Sequence, residues 1–349
     1  MMSQIHLTGP LQYRLRNASL LARSVTEISG RRMLRGPRRA TWNWSLELAT
    51  DVLRKYVRSA FEMADLTEAR SYLDSIAITP WAPPEVSSTP LVKTDFRADW
   101  FIPANRNSPI TVLYLHGGGY SFYPKAYSNF IGLLAADLQA PTLALDYRLA
   151  PEHPFPAQLE DALCVYRWLV QHECNPANLV IAGDSAGGNL MLASLLALRD
   201  SALPMPALAV ALSPATDFSE DYPSFFRNAE FDWIEKPMLE RWAEWLCREQ
   251  QRRNPLISPR WADLYGLPPI YIQAGTAELL FDSIKAFANH AKHQGANVVL
   301  ESWEDMVHDF QLLGPAVPQA LTALRRIREV VNSHVQRNRV AHLSQLPCG

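Results

Sequence analysis

The residues best suited to chemistry are Ser185 and the glycines around it. Gly183-Asp-Ser-Ala-Gly187 matches G-x-S-x-G. On a sharp turn between a strand and a helix, such a serine presents its hydroxyl at the helix N-terminus, where a partial positive charge favours a developing anion. The flanks meet that requirement: residues 178–183 predict a strand and 186–200 a helix. Gly183 and Gly187 have a steric reason, since a side chain at either would strike the neighbouring strand or helix. The alternative, a glycine-rich turn with an incidental serine, loses ground once both elements are in register. A second signal is His116-Gly-Gly-Gly119, directly after the apolar run 111–115. Three successive glycines let backbone N–H groups converge on one point, which is how an oxyanion is held without side chains. A phosphate cradle would call for GK[ST] or G-x-G-x-x-G spacing, and neither is present. Serine loop and glycine loop together predict acyl transfer through a serine nucleophile.

Short apolar runs must position these loops. Runs at 111–115, 141–146, 178–183, 207–212, 269–274 and 298–303 read as buried strands, and 126–138, 157–171, 186–200, 282–294 and 318–334 as helices. Such alternation predicts a mostly parallel sheet covered on both faces. More than 50 residues separate the strand ending near Ser213 from the one starting near Pro269. That is too long for a bare loop. Met238, Trp242, Trp245 and Leu246 share one helical face there, so the segment reads as a helical lid. Upstream, Trp44, Leu48, Val52, Tyr56, Ala60 and Phe61 suggest one apolar face of a helix, and Thr67 is a candidate cap for a second helix ending at Leu73. Four prolines in 79–90 exclude regular structure and suggest a hinge. Residues 1–46 carry eight arginines and one acid, Glu27. The stretch reads first as a solvated, partly mobile arm. An anionic partner or membrane surface, or an organelle presequence, are the alternatives.

HGGG, then Asp146-Tyr-Arg-Leu-Ala-Pro-Glu-His-Pro-Phe-Pro-Ala157, then GDSAGG at 183–188 resemble the hormone-sensitive-lipase-like carboxylesterase family of α/β-hydrolases. The resemblance spans about residues 91 to 334. It implies an α/β fold with a mostly parallel central sheet, helices on both faces and a helical cap. The divisions expected are 1–85 for the arm and first part of the cap, 86–216 and 266–335 for the catalytic core, 217–265 for the cap insertion and 336–349 for a tail. It further implies Gly117, Gly118 and Ala186 as oxyanion donors. Asp217 would brace loops near the site, Asp184 is the family's turn residue, and His116 and Gly119 support the glycine loop. The base should lie late in the chain, and His308 in Met306-Val-His-Asp-Phe310 matches the family's H-x-F ending. His290 and His293 fall in a helical stretch, and His153 belongs to the central block. Where the family has an aspartate in G-x-x-D-x-L, this chain has Gly275-Thr-Ala-Glu278. Glu278 is therefore the expected acid, since glutamate can orient an imidazole as aspartate does. Asp282 and Asp305 remain rivals, and Asp282 could instead cap the helix that follows it.

Composition narrows the rest. A net charge of −2 gives no general nucleic-acid footprint. Four scattered cysteines make neither a disulfide framework nor a metal site, and read as reduced thiols of a cytoplasmic protein. No apolar run approaches the roughly 20 residues of a membrane span. The expected activity is hydrolysis of uncharged carboxylic esters with short to medium acyl chains, with no metal or organic cofactor. A thioesterase, deacetylase or acyltransferase would use the same residues, and a ligand receptor on this scaffold is the more distant reading. Five tryptophans (Trp42, Trp44, Trp233, Trp242 and Trp245) could line the acyl pocket. A homodimer is a candidate assembly, and the basic arm could dock an acidic carrier protein.

Overall fold

The computed structural model describes residues 4–79 and 85–343. A short strand β1 (Gln4–Leu7) leads into the helical arm α1 (Leu11–Arg35), α2 (Trp44–Phe61) and α3 (Leu66–Leu73), and β2 (Ile76–Thr79) returns antiparallel to β1. The main sheet begins with β3 (Val86–Val92), β4 (Arg97–Pro103) and β5 (Thr111–Leu115). It continues through α4 (Tyr127–Leu138), β6 (Thr142–Asp146), α5 (Ala157–His172), β7 (Leu179–Asp184), α6 (Ser185–Asp200) and β8 (Leu208–Leu212). Two helices of the insertion, α7 (Pro223–Arg227) and α8 (Lys236–Leu246), precede β9 (Ile270–Gly275), α9 (Phe281–His293), β10 (Val298–Trp303) and α10 (Pro318–Leu343). The eight strands lie in the order β10-β9-β8-β7-β5-β6-β4-β3, and only the pairings of β4 with β3 and β6 are antiparallel.

All six strands and all five helices expected in the core are present, because their near-continuous apolar runs can only be hidden between two helical layers. Period-two alternation then divides each strand. Leu113 and Leu115 of β5 face the layer containing α5, α6 and α9, whereas Val112 and Tyr114 face α4 and α10. Within the described residues no helix is long and apolar enough to cross a membrane.

Four expectations fail outside that core. The proline-rich stretch is not wholly irregular: Val86–Val92, Pro90 included, forms the edge strand of the sheet, and residues 80–84 lie outside the described ones. An edge position tolerates a residue without N–H. Asp65, not Thr67, caps α3 by accepting the Thr67 N–H at 2.9 Å. The last helix extends to Leu343, so the tail expected from 336 begins later, and residues 344–349 are not described.

The arginine-rich arm is folded rather than solvated. Helix α1 buries Tyr13, Leu20 and Ile28, and Arg31 and Arg32 reach the fully buried Glu47 at 2.5 and 3.0 Å. Arg39 pairs with Asp305 at 2.6 Å, joining the arm to the loop after β10. Helix α2 is turned relative to the expected face. Its buried line starts at Leu46, Glu47 and Thr50 before reaching Tyr56 and Ala60, and Trp44 stays exposed.

Candidate active site

Strand β7 hands over to α6 so abruptly that Ser185 takes a positive φ of 50°. A non-glycine residue held there stores roughly 1–3 kcal/mol of backbone strain, a recurrent feature of nucleophile turns. The glycines permit the turn. A Cβ on Gly183 would come within 2.5 Å of the Gly187 carbonyl oxygen, and one on Gly187 would strike the carbonyl of Leu115. Ser185 Oγ thereby stands at the N-terminus of α6, 2.9 Å from His308 Nε2.

His308 comes from the loop after β10 and Glu278 from the loop after β9. These loops lie backbone against backbone, and a Cβ on Gly275 would collide with the Met306 carbonyl. Both side chains are buried. Glu278 Oε2 accepts from Ser213 Oγ at 2.6 Å and the Gly275 N–H at 3.1 Å. Its Oε1 and the Nδ1 of His308 are both left without a hydrogen bond among the described residues. Burial pushes the Glu278 carboxyl up, and the His308 imidazole draws it back. Burial alone would depress the imidazole, but Asp309, Glu278 and Asp232 outweigh it and hold His308 up at about 9.

Motif reasoning missed three residues that fix these loops. Asp232, in the insertion and fully buried, accepts the N–H groups of His308 (3.0 Å) and Trp233 (2.8 Å) on Oδ1, and that of Leu279 (2.7 Å) on Oδ2. Asn228 donates to the carbonyls of Thr276 (3.0 Å) and Glu278 (2.8 Å). Asp309 places Oδ2 3.1 Å from His308 Nε2, on the serine side of the ring. Only Asp309 carried a hint, as an acid beside the H-x-F histidine. The other two act across some 50 to 75 residues of sequence, where no local pattern exists.

In the glycine loop, the Gly117 N–H does not face the serine. It donates to Asp184 Oδ1 at 3.0 Å, so the expected set Gly117, Gly118, Ala186 is corrected at its first member. Among the described residues the N–H groups of Gly118, Gly119 and Ala186 meet no protein acceptor. Asp184 also receives the hydroxyls of Tyr114 (2.5 Å) and Tyr127 (2.8 Å), so it fastens this loop to the nucleophile turn. His116 is stacked between Tyr123 and Tyr147 at 3.6 and 4.0 Å, and its Nδ1 bonds the Gly117 carbonyl. Burial lowers its imidazole to about 3, which leaves it neutral and bracing the loop.

The rival acids point elsewhere. Asp282 pairs with Arg227 at 3.1 Å, and it sits within the first turn of α9 rather than capping it. Asp305 is held by Arg39 and Thr41. Asp217 accepts from Ser219 and Tyr222 within its own loop. His290 bonds the Ala262 carbonyl in the insertion.

Arm and insertion meet over the glycine loop. Phe61 of α2 packs on Trp242 and Trp245 of α8 with ring centres 5.2 and 5.8 Å apart, and the Trp242 indole lies where a Cβ on Gly119 would be. Trp233 donates to the His308 carbonyl at 2.6 Å, and Trp42 to that of Asp305. Beside the Glu278 loop a cleft of about 370 Å³ opens between insertion and core, with Phe218, Phe225 and Leu239 on its wall together with the charged Asp217, Glu220, Asp221, Lys236, Glu240 and Arg252. No group of three metal-ligating side chains is close enough to hold an ion among the described residues.

Sheet order, nucleophile turn and histidine loop define the class, an α/β-hydrolase. A family model described as alpha/beta hydrolase fold matches residues 112–312. An acetyl-hydrolase of Streptomyces hygroscopicus is 39% identical over 229 residues, covering 65% of this chain and 76% of that protein. The carboxylesterase NlhH of Mycobacterium tuberculosis is 30% identical over 296 residues, covering 76% and 91%. A crystal structure of an esterase from the bacterial hormone-sensitive lipase family superposes with a TM-score of 0.70 at 31% identity, over 91% of this chain and 98% of that one. The chain belongs to the hormone-sensitive-lipase-like carboxylesterase family, and it is a carboxylic ester hydrolase.

Proposed function

We propose that Ser185, His308 and Glu278 form the catalytic triad of this esterase, and that Gly118, Gly119 and Ala186 donate to the oxyanion. The observation that carries this reading is the 2.9 Å contact between Ser185 Oγ and His308 Nε2 at a strained strand-to-helix turn. Neutral His308 takes the Ser185 proton as the serine oxygen attacks the ester carbonyl. Negative charge then collects on the former carbonyl oxygen, which the three free N–H groups and the α6 N-terminus stabilise. The imidazolium returns its proton to the leaving alkoxide, and an acyl-serine remains. Water, deprotonated by the same imidazole, releases the acid and restores the serine. The Glu278 charge stabilises the imidazolium, and its unbonded Oε1 is the candidate acceptor for the equally unbonded Nδ1 of His308, a bond that would select the tautomer.

The substrates are uncharged carboxylic esters with short to medium acyl chains. Support comes from the aromatic cover over Gly119, and an acetyl-hydrolase among the relatives favours the short end. Segments 1–85 and 217–265 together make the cap, a reading supported by the contacts of Phe61 with Trp242 and Trp245. The free thiols Cys164, Cys174 and Cys247 favour a reducing compartment, the cytoplasm. The test is fluorophosphonate labelling followed by turnover of p-nitrophenyl esters from acetyl to palmitoyl. Ser185→Ala should abolish labelling and lower kcat by about 10⁴–10⁶ without unfolding the protein. Turnover above about a tenth of wild type would remove Ser185 as nucleophile.

A further inference from the structure

The turn that leaves β8 supplies none of the reacting groups, yet it touches every loop that does. Ala215 donates its N–H to the Ser185 carbonyl at 3.1 Å, and Asn189 of α6 donates to the Ala215 carbonyl at 2.6 Å, so the turn is fastened to the nucleophile helix. Ser213 opens this turn. It is fully buried, and its own N–H donates to the Gln273 carbonyl of β9 at 2.8 Å. Its hydroxyl donates to Glu278 Oε2 at 2.6 Å and accepts the Asp309 N–H at 3.2 Å, which joins the acid loop to the residue after His308. A hydroxyl carries one hydrogen and two lone pairs, so both bonds can be made at once.

Backbone geometry sets Ser213 apart as well. Its φ is 42°, in the left-handed region that favours glycine, and a serine persists there only where its surroundings over-determine it. Neither packing nor the turn itself calls for a serine: alanine would fill nearly the same space, and glycine would relieve the turn. What remains is the hydroxyl. Glutamate needs such a fixture more than aspartate does, because its extra methylene adds a rotatable bond. The Ser213 hydroxyl and the Gly275 N–H, at 2.6 and 3.1 Å, both bind Oε2 and so fix the carboxylate, while Oε1 carries no bond among the described residues. Oε1 is thereby the oxygen free to serve His308 Nδ1, which is equally unbonded.

We propose that Ser213 is a positioning residue of this esterase, whose hydroxyl holds Glu278 so that Oε1 is presented to His308; the proposal rests on Glu278 being the acid of the triad. The experiment is a double-mutant cycle on kcat for p-nitrophenyl butyrate, with Ser213→Ala, Glu278→Gln and the two together in the full chain. Ser213→Ala is expected to lower kcat by about 10- to 100-fold with KM within about threefold, since a displacement of about 1 Å near the reacting groups costs on the order of 10². In the Glu278→Gln background the same change should cost less than about threefold, because the hydroxyl then has no charged acid to position. Ser213→Gly, which is free of the φ strain, should show the same loss and the same dependence on Glu278, with a melting temperature at or above that of Ser213→Ala. A hydroxyl that served the fold alone would instead cost the same in both backgrounds. Equal costs would overturn the proposal and leave the triad standing, as would wild-type turnover by Ser213→Gly. A Glu278→Gln variant within about threefold of wild type would overturn both, because the acid would then lie elsewhere.

Discussion

Asp232→Ala tests whether the esterase site is held together by its cap. The Asp232 carboxylate accepts three backbone N–H groups, those of His308, Trp233 and Leu279, at 3.0, 2.8 and 2.7 Å. It thereby links the base to the residue after the acid, and Arg54 of the arm donates to its main-chain carbonyl. Alanine would strand three buried donors, each costing about 1–3 kcal/mol. Holding a carboxylate with no solvent contact is itself unfavourable, as its raised pKa indicates, so relief of that burial offsets part of the loss. A net destabilisation of about 3–5 kcal/mol follows. With about 2.1 cal/mol/K of unfolding entropy per residue, a chain of 349 residues loses roughly 1.4 °C per kcal/mol, or about 4–7 °C in all. Activity should fall further than stability. A shift of about 1 Å between reacting groups costs on the order of 10² in rate. The assays are calorimetric melting and kcat/KM on p-nitrophenyl butyrate at a temperature where the variant is fully folded. Asp232→Asn should lose about a third as much stability, since its carbonyl oxygen can still serve His308 and Trp233 while its amide faces the Leu279 N–H. An alanine variant within about 1 °C and twofold of wild type would refute the reasoning.

Glu278→Gln should lower kcat by about 10²–10⁴, whereas Asp282→Asn, which breaks only a peripheral pair with Arg227, should remain near wild type. The opposite ranking would move the acid role to Asp282. Asp309→Asn removes a negative charge 3.1 Å from His308 Nε2, so the imidazole should lose its proton at lower pH. The acidic limb of kcat/KM should then move down by about one unit or more, the equivalent of about 1.4 kcal/mol. An unmoved limb would show that Asp309 does not control the base. Log kcat/KM against acyl length should rise by up to about fourfold per methylene that fits and then break at one length. Phe61→Ala removes a ring 5.2 Å from Trp242 and should move that break to longer chains; an unchanged break would exclude the arm from the pocket.

Sequence alone determined the sheet, the nucleophile turn and the identity of Ser185, His308 and Glu278 as candidates. The sheet and the nucleophile turn leave a local trace, an apolar run too long to expose or glycines at the few positions where backbones must touch, as Gly187 does with Leu115. His308 and Glu278, by contrast, became candidates through the resemblance of their segments to the family's. Fine assignments were less legible. That Gly117 donates to Asp184 while Gly118 and Gly119 stay free depends on a carboxylate about 67 residues away, and identical glycines carry no mark of it. The arginine-rich arm shows the same limit. Its composition suits a solvated tail, yet Glu47, Asp305 and a line of buried side chains make it a structural helix. Asp232 is the plainest case. One aspartate among many in the sequence, it becomes the joint between acid loop and base loop only because the chain returns there. Hydrogen bonds that close a site are made by through-space neighbours, and only the tertiary structure decides who those are.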